Sequence, residues 1–381
     1  MRKGRSNNSK VAAYSDTRNK PLKERPMKPV KLTKYIGMDV HKAMTVIVVL
    51  DDAGKVSAEA IIETKGSTIL DFFKSQRGTL HVALEEGTQA TWLYDLILPH
   101  VAKVIVCNPK KIIRHGNKAD KIDARLLAEL LRTDALKPTY RGEQSIRGVK
   151  ELALSYMAVV RDGARVKNRL KAMFRGRGFE CNGTGVYNPD ERKDWLAKLD
   201  SPALCSRADR QWQELDLLER LSEEAEKELV TEARKYTATR ILRSVPGIGP
   251  IRAAMILGVA GTPHRFRSKK QFWGYCGLGV VTATSSEYQV VDGRVCRSNK
   301  RPLLRGLNNN YNRAMKEVFK GAAKTVAAGV WKSRFEDMIA KGTPASLARL
   351  TLARKIASIT LAVWKKGERY DHRKLKTMHA A

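Results

Sequence analysis

Apolar residues recur along this chain in two rhythms, and the change from one to the other divides it. From Tyr35, the segments Ile36–Val40 and Met44–Leu50 are apolar runs rich in β-branched residues, and Asp51-Asp52-Ala53-Gly54 is a turn signal before Lys55–Ile62. They predict three strands joined by tight connections, an antiparallel meander. His81–Leu84 and Val104–Val106 predict two further short strands, with a helical stretch around Thr91–Leu98 between them. In Asp120–Leu131, the residues Ile122, Leu126, Leu127, Leu130 and Leu131 recur at helical spacing. Strands and helices in this order predict a mixed sheet covered by helices.

Past residue 140 the rhythm lengthens. Val149, Leu152, Tyr156, Val159, Gly163, Val166, Leu170 and Met173 step by three and four residues in turn, a heptad seam flanked by Arg161, Arg165, Lys167, Arg169 and Lys171. A loop rich in Gly and Asn, Gly176–Pro189, leads to a second long helix over about Ala208–Tyr236, which carries Glu214, Asp216, Glu219, Glu223 and Glu224. Two long helices of opposite charge bias predict a hairpin or an intermolecular coiled coil, with dimer assembly as the expected use of the seam. From Ile241 the chain reads as globular, with helices over Leu303–Ala323 and Pro344–Lys365. The fold class expected is α/β plus all-α. Its parts are a basic tail at 1–34, a sheet domain at 35–140, a helical coiled-coil segment at 141–236, a further domain at 237–330, and a helix with a basic tail at 331–381.

Composition narrows the possible partners. The 381 residues carry 72 Lys and Arg against 39 Asp and Glu, a net charge of +33, and a field of that sign attracts a polyanion such as nucleic acid. With 43% hydrophobic residues the chain as a whole is globular rather than disordered, although residues 1–34 hold too few large apolar side chains to offset the entropy of ordering. Five cysteines without any C-x-x-C pair argue against a zinc finger and for free thiols in a reducing compartment. No apolar run is long enough to span a bilayer, so a cytoplasmic protein with no membrane partner is expected.

Four carboxylates stand out against this basic background. Asp39 interrupts a hydrophobic strand, and Glu85 follows Val82-Ala83-Leu84 in the same manner, with Glu86 next. A carboxylate in such a place is expensive to bury unless something offsets its charge. Asp120 and Asp123, three apart at a helix start, project from one face, although Asp at a helix start is also a common cap. Together they fit a site where hard oxygen ligands hold two Mg²⁺ ions that clamp the oxygens of a phosphodiester. Farther on, Val245-Pro246-Gly247-Ile248-Gly249-Pro250 lies between two helical segments, and backbone N–H groups at such a turn suit a phosphate oxygen. That makes Gly247, Gly249 and Arg252 candidate nucleic-acid contacts, with Arg297, Lys300 and Arg301 as later basic ones.

Three segments carry a resemblance: Tyr35-Ile36-Gly37-Met38-Asp39-Val40-His41-Lys42, Leu84-Glu85-Glu86-Gly87-Thr88 and Asn117-Lys118-Ala119-Asp120-Lys121-Ile122-Asp123-Ala124-Arg125. They resemble the RuvC-like, RNase H-like N-terminal domain of the DEDD insertion-sequence transposases, insertion-sequence family one-ten. The Gly-rich turn, the run Trp273-Gly274-Tyr275-Cys276-Gly277-Leu278 and the serine eight residues after Gly277 are similar to that family's C-terminal transposase domain, with its helix-hairpin-helix. The resemblance implies that Asp39, Glu85, Asp120 and Asp123 are metal ligands and that Ser285 is a nucleophile forming a phosphoserine link to DNA. It also implies donor and target DNA, a structured guide RNA and a homo-oligomer, dimer or tetramer, as partners. Ala119 stands where the family usually has Thr, and Glu85-Glu86-Gly87 is shorter than the family's more frequent Glu-x-x-Gly, which leaves Glu86 as a rival to Glu85; Ser286 stands where the family usually has Gly, which leaves it as a rival to Ser285. Two other functions fit the same residues: a RuvC-like junction resolvase that cuts with metal and water alone, and a non-catalytic nucleic-acid scaffold.

Overall fold

The computed structural model describes residues 32–109, 112, 119–139, 146–283, 288–291, 293–297 and 303–373. They fall into two compact units, divided between residues 141 and 142. The three segments expected beyond residue 140 therefore share one unit. Nearly all of the basic tail expected at 1–34 lies outside the described residues. Among the described residues, no helix is long and apolar enough to cross a membrane.

In the first unit, strands β1 (Thr33–Val40), β2 (Met44–Leu50) and β3 (Val56–Glu63) form the antiparallel meander. Helix α1 (Gly66–Ser75) then leads to β4 (Thr79–Glu85), and α2 (Ala90–Ile97) to β5 (Lys103–Cys107), before α3 (Asp120–Arg132). Strand β4 runs parallel to β1 and β5 parallel to β4, so the sheet is mixed, in the order β3-β2-β1-β4-β5. That arrangement is compatible with an RNase H-like domain. Period-two alternation decides what each face meets. Ile36, Met38, Val82 and Leu84 pack on Ile69, Phe73, Leu93 and Ile97 of α1 and α2. The opposite face meets α3, whose Ala124 and Ala128 cover Val46 and Val48 while Leu127 and Leu131 cover Ala83 and Ile105. Strand β3 alternates between half-buried and exposed positions, as an edge strand with one solvated face does.

The second unit begins with α4 (Arg147–Arg175), the short α5 (Arg192–Leu196) and α6 (Pro202–Arg234). Helices α4 and α6 form an antiparallel hairpin within the chain, one of the two arrangements the sequence allows. Their opposite charges meet: Lys167 pairs with Glu219 at 2.8 Å and Arg169 with Glu214 at 2.7 Å. The buried stripe follows the expected heptad in the second half of α4 and departs from it in the first. Val149, Ala153 and Met157 are buried at one end and Val166, Leu170, Met173 and Phe174 at the other, while Leu152 and Tyr156 are only partly covered. The first half of α4 also packs against a later helix, where Gly258 lies against Val149 and Ala153, so its buried stripe faces two neighbours rather than one.

A separate core fills the far end of this hairpin, where Trp212 is 1% exposed, donates Nε1–H to Val186 O at 2.8 Å and lies among Phe174, Trp195 and Leu215. Trp212→Ala should therefore lower stability by about 3–5 kcal/mol. Hydrogen exchange should show faster opening of residues 166–215, with the first unit unchanged.

The remainder comprises α7 (Thr237–Arg243), α8 (Pro250–Ala260), α9 (Lys269–Tyr275), β6 (Val280–Ala283), β7 (Tyr288–Val291), β8 (Arg294–Arg297), β9 (Leu303–Leu307), α10 (Arg313–Ala328), α11 (Lys332–Ala340) and α12 (Ala345–Lys366). Helix α8 is apolar almost all round and forms the centre of the core with α4, α10 and α12. The helix expected over Leu303–Ala323 requires correction. Leu303–Leu307 is a strand pairing antiparallel with β6, and the helix begins only at Arg313, where Asn312 Oδ1 accepts the Met315 N–H at 3.1 Å. Gly306 at φ +89° explains the break, because a right-handed helix cannot contain that conformation.

Candidate metal centre

The first unit brings acidic side chains together at the ends of its central strands. Asp39 is the penultimate residue of β1 and Glu85 the last of β4, and the parallel pairing Met38↔Leu84 puts them side by side. Alternation sets their direction. Asp39 shares its face with Gly37, and Glu85 shares its face with Ala83, which packs on α3. Glu86 lies beyond the strand, exposed, with its N–H donating to Cys107 O at 2.8 Å. The cleft here, about 560 Å³, is lined by Asp39, His41, Glu85, Glu86, Thr88 and Gln89 among others.

Gly37 lets α3 come close enough to contribute. A Cβ at this position would lie 1.9 Å from Ala124 O and 2.6 Å from Ala128 N, so only glycine permits this contact between strand and helix backbones. The approach lays the first turn of α3, with Asp120 and the 6%-exposed Asp123, beside the end of β1. Neither aspartate holds the N-cap position, which belongs to Ala119 and has no side-chain cap bond. Lys121 turns away to Glu59 on β3, 2.5 Å from Oε2.

The electrostatics show a crowded anionic site. Burial pushes the Asp39 carboxyl above its ordinary value; His41 opposes the shift, and the charges of Asp120 and Asp123 add to it. His41 Nε2 lies 3.3 Å from Asp39 Oδ2 and 3.4 Å from Asp120 Oδ2. One potential ligand atom from each of Asp39, His41 and Asp120 lies within 4.8 Å of the other two. Carboxylate oxygens converging in a half-buried cleft are the donor set of a hard divalent cation, so the residues fit the metal the resemblance implies. Sequence reasoning quoted His41 within a motif but assigned it no role. The signal was its i+2 spacing from Asp39, which puts both side chains on one face where a strand ends.

The second unit holds the other candidate residues. In the turn between α7 and α8, Gly247 takes φ +79°, and a Cβ there would lie 2.8 Å from Ala322 O of α10. Packing alone therefore demands this glycine. Gly249 has open space around it and precedes α8, whose N-terminus lacks a side-chain cap. Arg252 curls back on the turn, donating from Nη1 to Gly247 O at 2.7 Å and to Thr325 Oγ1 at 3.1 Å. Its guanidinium thus clamps the turn to α10, and Arg252→Ala should lower stability by about 1.5–3 kcal/mol, measured as the shift of the urea midpoint. Arg297 ends β8 with its side chain outside the described residues, and Ser285, Ser286, Lys300 and Arg301 lie outside them altogether.

Comparison with known proteins agrees with these features. Residues 36–177 match a family of DEDD transposases, and residues 239–334 match the Transposase IS116/IS110/IS902 family. A mini-circle transposase described for IS117 in Streptomyces coelicolor is 24% identical over 339 residues, covering 71% of this chain and 81% of the relative. A family 20 transposase of Pseudomonas aeruginosa is 26% identical over 342 residues, covering 86% of this chain and 96% of the relative. The first match contains all four acids and the second contains Ser285 and the Gly-rich turn. With both parts of the family present in order, the chain belongs to the IS110 family of transposases, enzymes that cut and rejoin DNA.

Proposed function

We propose that this transposase exchanges DNA strands with two chemical centres, a divalent-metal site formed by Asp39, Glu85, Asp120 and Asp123 and a nucleophilic hydroxyl on Ser285. The observation that carries the first centre is the convergence of β1, β4 and the start of α3 on one face, with burial and neighbouring carboxylates acting against the charge of Asp39. Two Mg²⁺ ions bound there would stabilise negative charge on the scissile phosphate. The protein's own part is to fix the carboxylates on rigid elements, so that little reorganisation remains when DNA arrives. The second centre rests on the family's serine position, to which Ser285 corresponds. Its Oγ would attack the phosphorus, displace a DNA oxygen and leave a phosphoserine ester that the incoming strand later resolves.

Basic charge supplies the handle on DNA. Phosphate contacts from Arg297, Lys300, Arg301 and the α8 N-terminus beginning at Gly249 would fix register without reading sequence. A net charge of +33 exceeds what a single duplex contact needs and suits a structured guide RNA held alongside donor and target DNA. A dimer or tetramer would bring the serine of one subunit to the acids of another.

The test is Ser285→Ala beside Ser286→Ala on supercoiled DNA carrying donor and target sites. Ser285→Ala should abolish strand transfer and the covalent protein–DNA product, while Ser286→Ala keeps both. Undiminished cutting by Ser285→Ala would instead favour a resolvase that uses metal and water alone.

A further inference from the structure

We infer that His41 is a nitrogen ligand of the metal site and sets its preference between ions, making it more receptive to Mn²⁺ than four carboxylates would be alone. The inference rests on the acidic site proposed above and adds to it a donor of a different chemical kind. The argument begins with distance. Two ligands at right angles about 2.1–2.2 Å from one ion lie roughly 3.0–3.1 Å apart. His41 Nε2 is 3.3 Å from Asp39 Oδ2 and 3.4 Å from Asp120 Oδ2, close to that separation on both sides. Among the described residues, this is the one group of three or more His, Cys, Asp or Glu side chains spaced to hold an ion.

The backbone bearing the imidazole is fixed independently of those carboxylates. His41 N–H donates to Met44 O at 3.0 Å across the β1–β2 turn, and His41 O accepts the Thr64 hydroxyl at 2.9 Å. Thr64 Oγ1 also lies 2.8 Å from the buried Thr45 Oγ1 on β2, and Thr64 N–H donates to Ala43 O at 2.9 Å. These bonds fix the backbone from which the imidazole projects at the end of β1. The side chain remains half-exposed toward the cleft, where an ion can reach it.

Imidazole is a softer donor than carboxylate and favours Mn²⁺ and later transition ions over Mg²⁺. Selectivity therefore changes when His41 is replaced. The measurement is Mn²⁺ binding to the full chain by electron paramagnetic resonance, with Mg²⁺ affinity read by competition, for the parent, His41→Ala, His41→Asp and Asp39→Asn. His41→Ala should weaken Mn²⁺ about tenfold or more and Mg²⁺ less. His41→Asp, restoring an oxygen donor, should recover binding with the preference moved toward Mg²⁺, which also guards against a folding defect in the alanine variant. Unchanged or tighter Mn²⁺ binding in His41→Ala would overturn the inference, leaving His41 as a hydrogen-bonding neighbour of the two aspartates. Failure of the acidic site itself would look different, because Asp39→Asn would then bind Mn²⁺ as the parent does.

Discussion

Gly37→Ala should destabilise the N-terminal unit by about 3 kcal/mol or more and abolish metal binding, although it adds a single methyl group and removes no ligand atom. The methyl carbon would sit 1.9 Å from Ala124 O and 2.6 Å from Ala128 N, and both are backbone atoms of α3, so no side chain can rotate out of its way. Either the helix lifts from β1 or the strand bends. Each response moves Asp120 and Asp123 away from Asp39 and uncovers Val46 and Val48. Thermal unfolding monitored by circular dichroism, combined with a Mn²⁺ titration, tests both consequences in one sample. A variant with parent-like melting and parent-like metal affinity would show that the close contact does not position the acids.

Asp39→Asn should act in opposite directions on chemistry and on metal-free stability. Loss of a ligand oxygen is expected to reduce strand cleavage by about a thousandfold, equivalent to about 4 kcal/mol of transition-state stabilisation. The folded protein holds the Asp39 carboxyl above its ordinary value, through burial first and the charges of Asp120 and Asp123 after the opposing effect of His41. A raised folded-state pKa means that the native state binds a proton more tightly than the unfolded chain. The associated stability is present at acid pH and is lost as pH rises through the folded value. At neutral pH, with divalent ions chelated, the ionised Asp39 therefore detracts from stability, and the neutral asparagine should melt at a higher temperature than the parent. The difference should narrow as pH falls into the carboxylate range. Adding Mg²⁺ or Mn²⁺ should reverse the order, since a bound ion stabilises the parent by mass action, about 2.7 kcal/mol at a hundred times the dissociation constant. The check is a series of melts across pH with and without the ion, and a variant that melts lower than the parent in chelator would contradict the electrostatic picture.

How much of this could be read in the sequence depended on how local the governing physics was. Strands β1 to β5 and helix α3 follow from runs and periods within single segments, and the oddity of Asp39 inside a hydrophobic strand needs no tertiary information. The direction of Glu85 also follows from alternation once Ala83 is known to face α3. The Gly37 contact with α3 was hidden, because it joins residues some ninety positions apart and leaves no periodic trace. His41 carried a faint signal in its spacing from Asp39, visible only after the strand end was fixed. Arg252 read as a phosphate ligand because it stands beside a Gly-rich turn, yet its guanidinium bonds that turn to α10, a helix distant in sequence. The strand at Leu303–Leu307 was hidden for a similar reason: apolar leucines at mixed spacing suit either structure, and the pairing with β6 decides. In the α4–α6 hairpin the heptad holds for Val166, Leu170 and Met173, and packing of the first half of α4 on α8 shifts which residues are covered there.

The account depends on acids from β1, β4 and α3 jointly holding divalent cations. Anomalous diffraction from crystals soaked in Mn²⁺ examines that directly. It should show a peak within roughly 2.0–2.5 Å of an Asp39 carboxylate oxygen, with oxygens of Glu85 and of Asp120 or Asp123 completing the sphere around it or around a second peak about 4 Å away. No peak at these oxygens, at a Mn²⁺ concentration that supports DNA cleavage in solution, would contradict it.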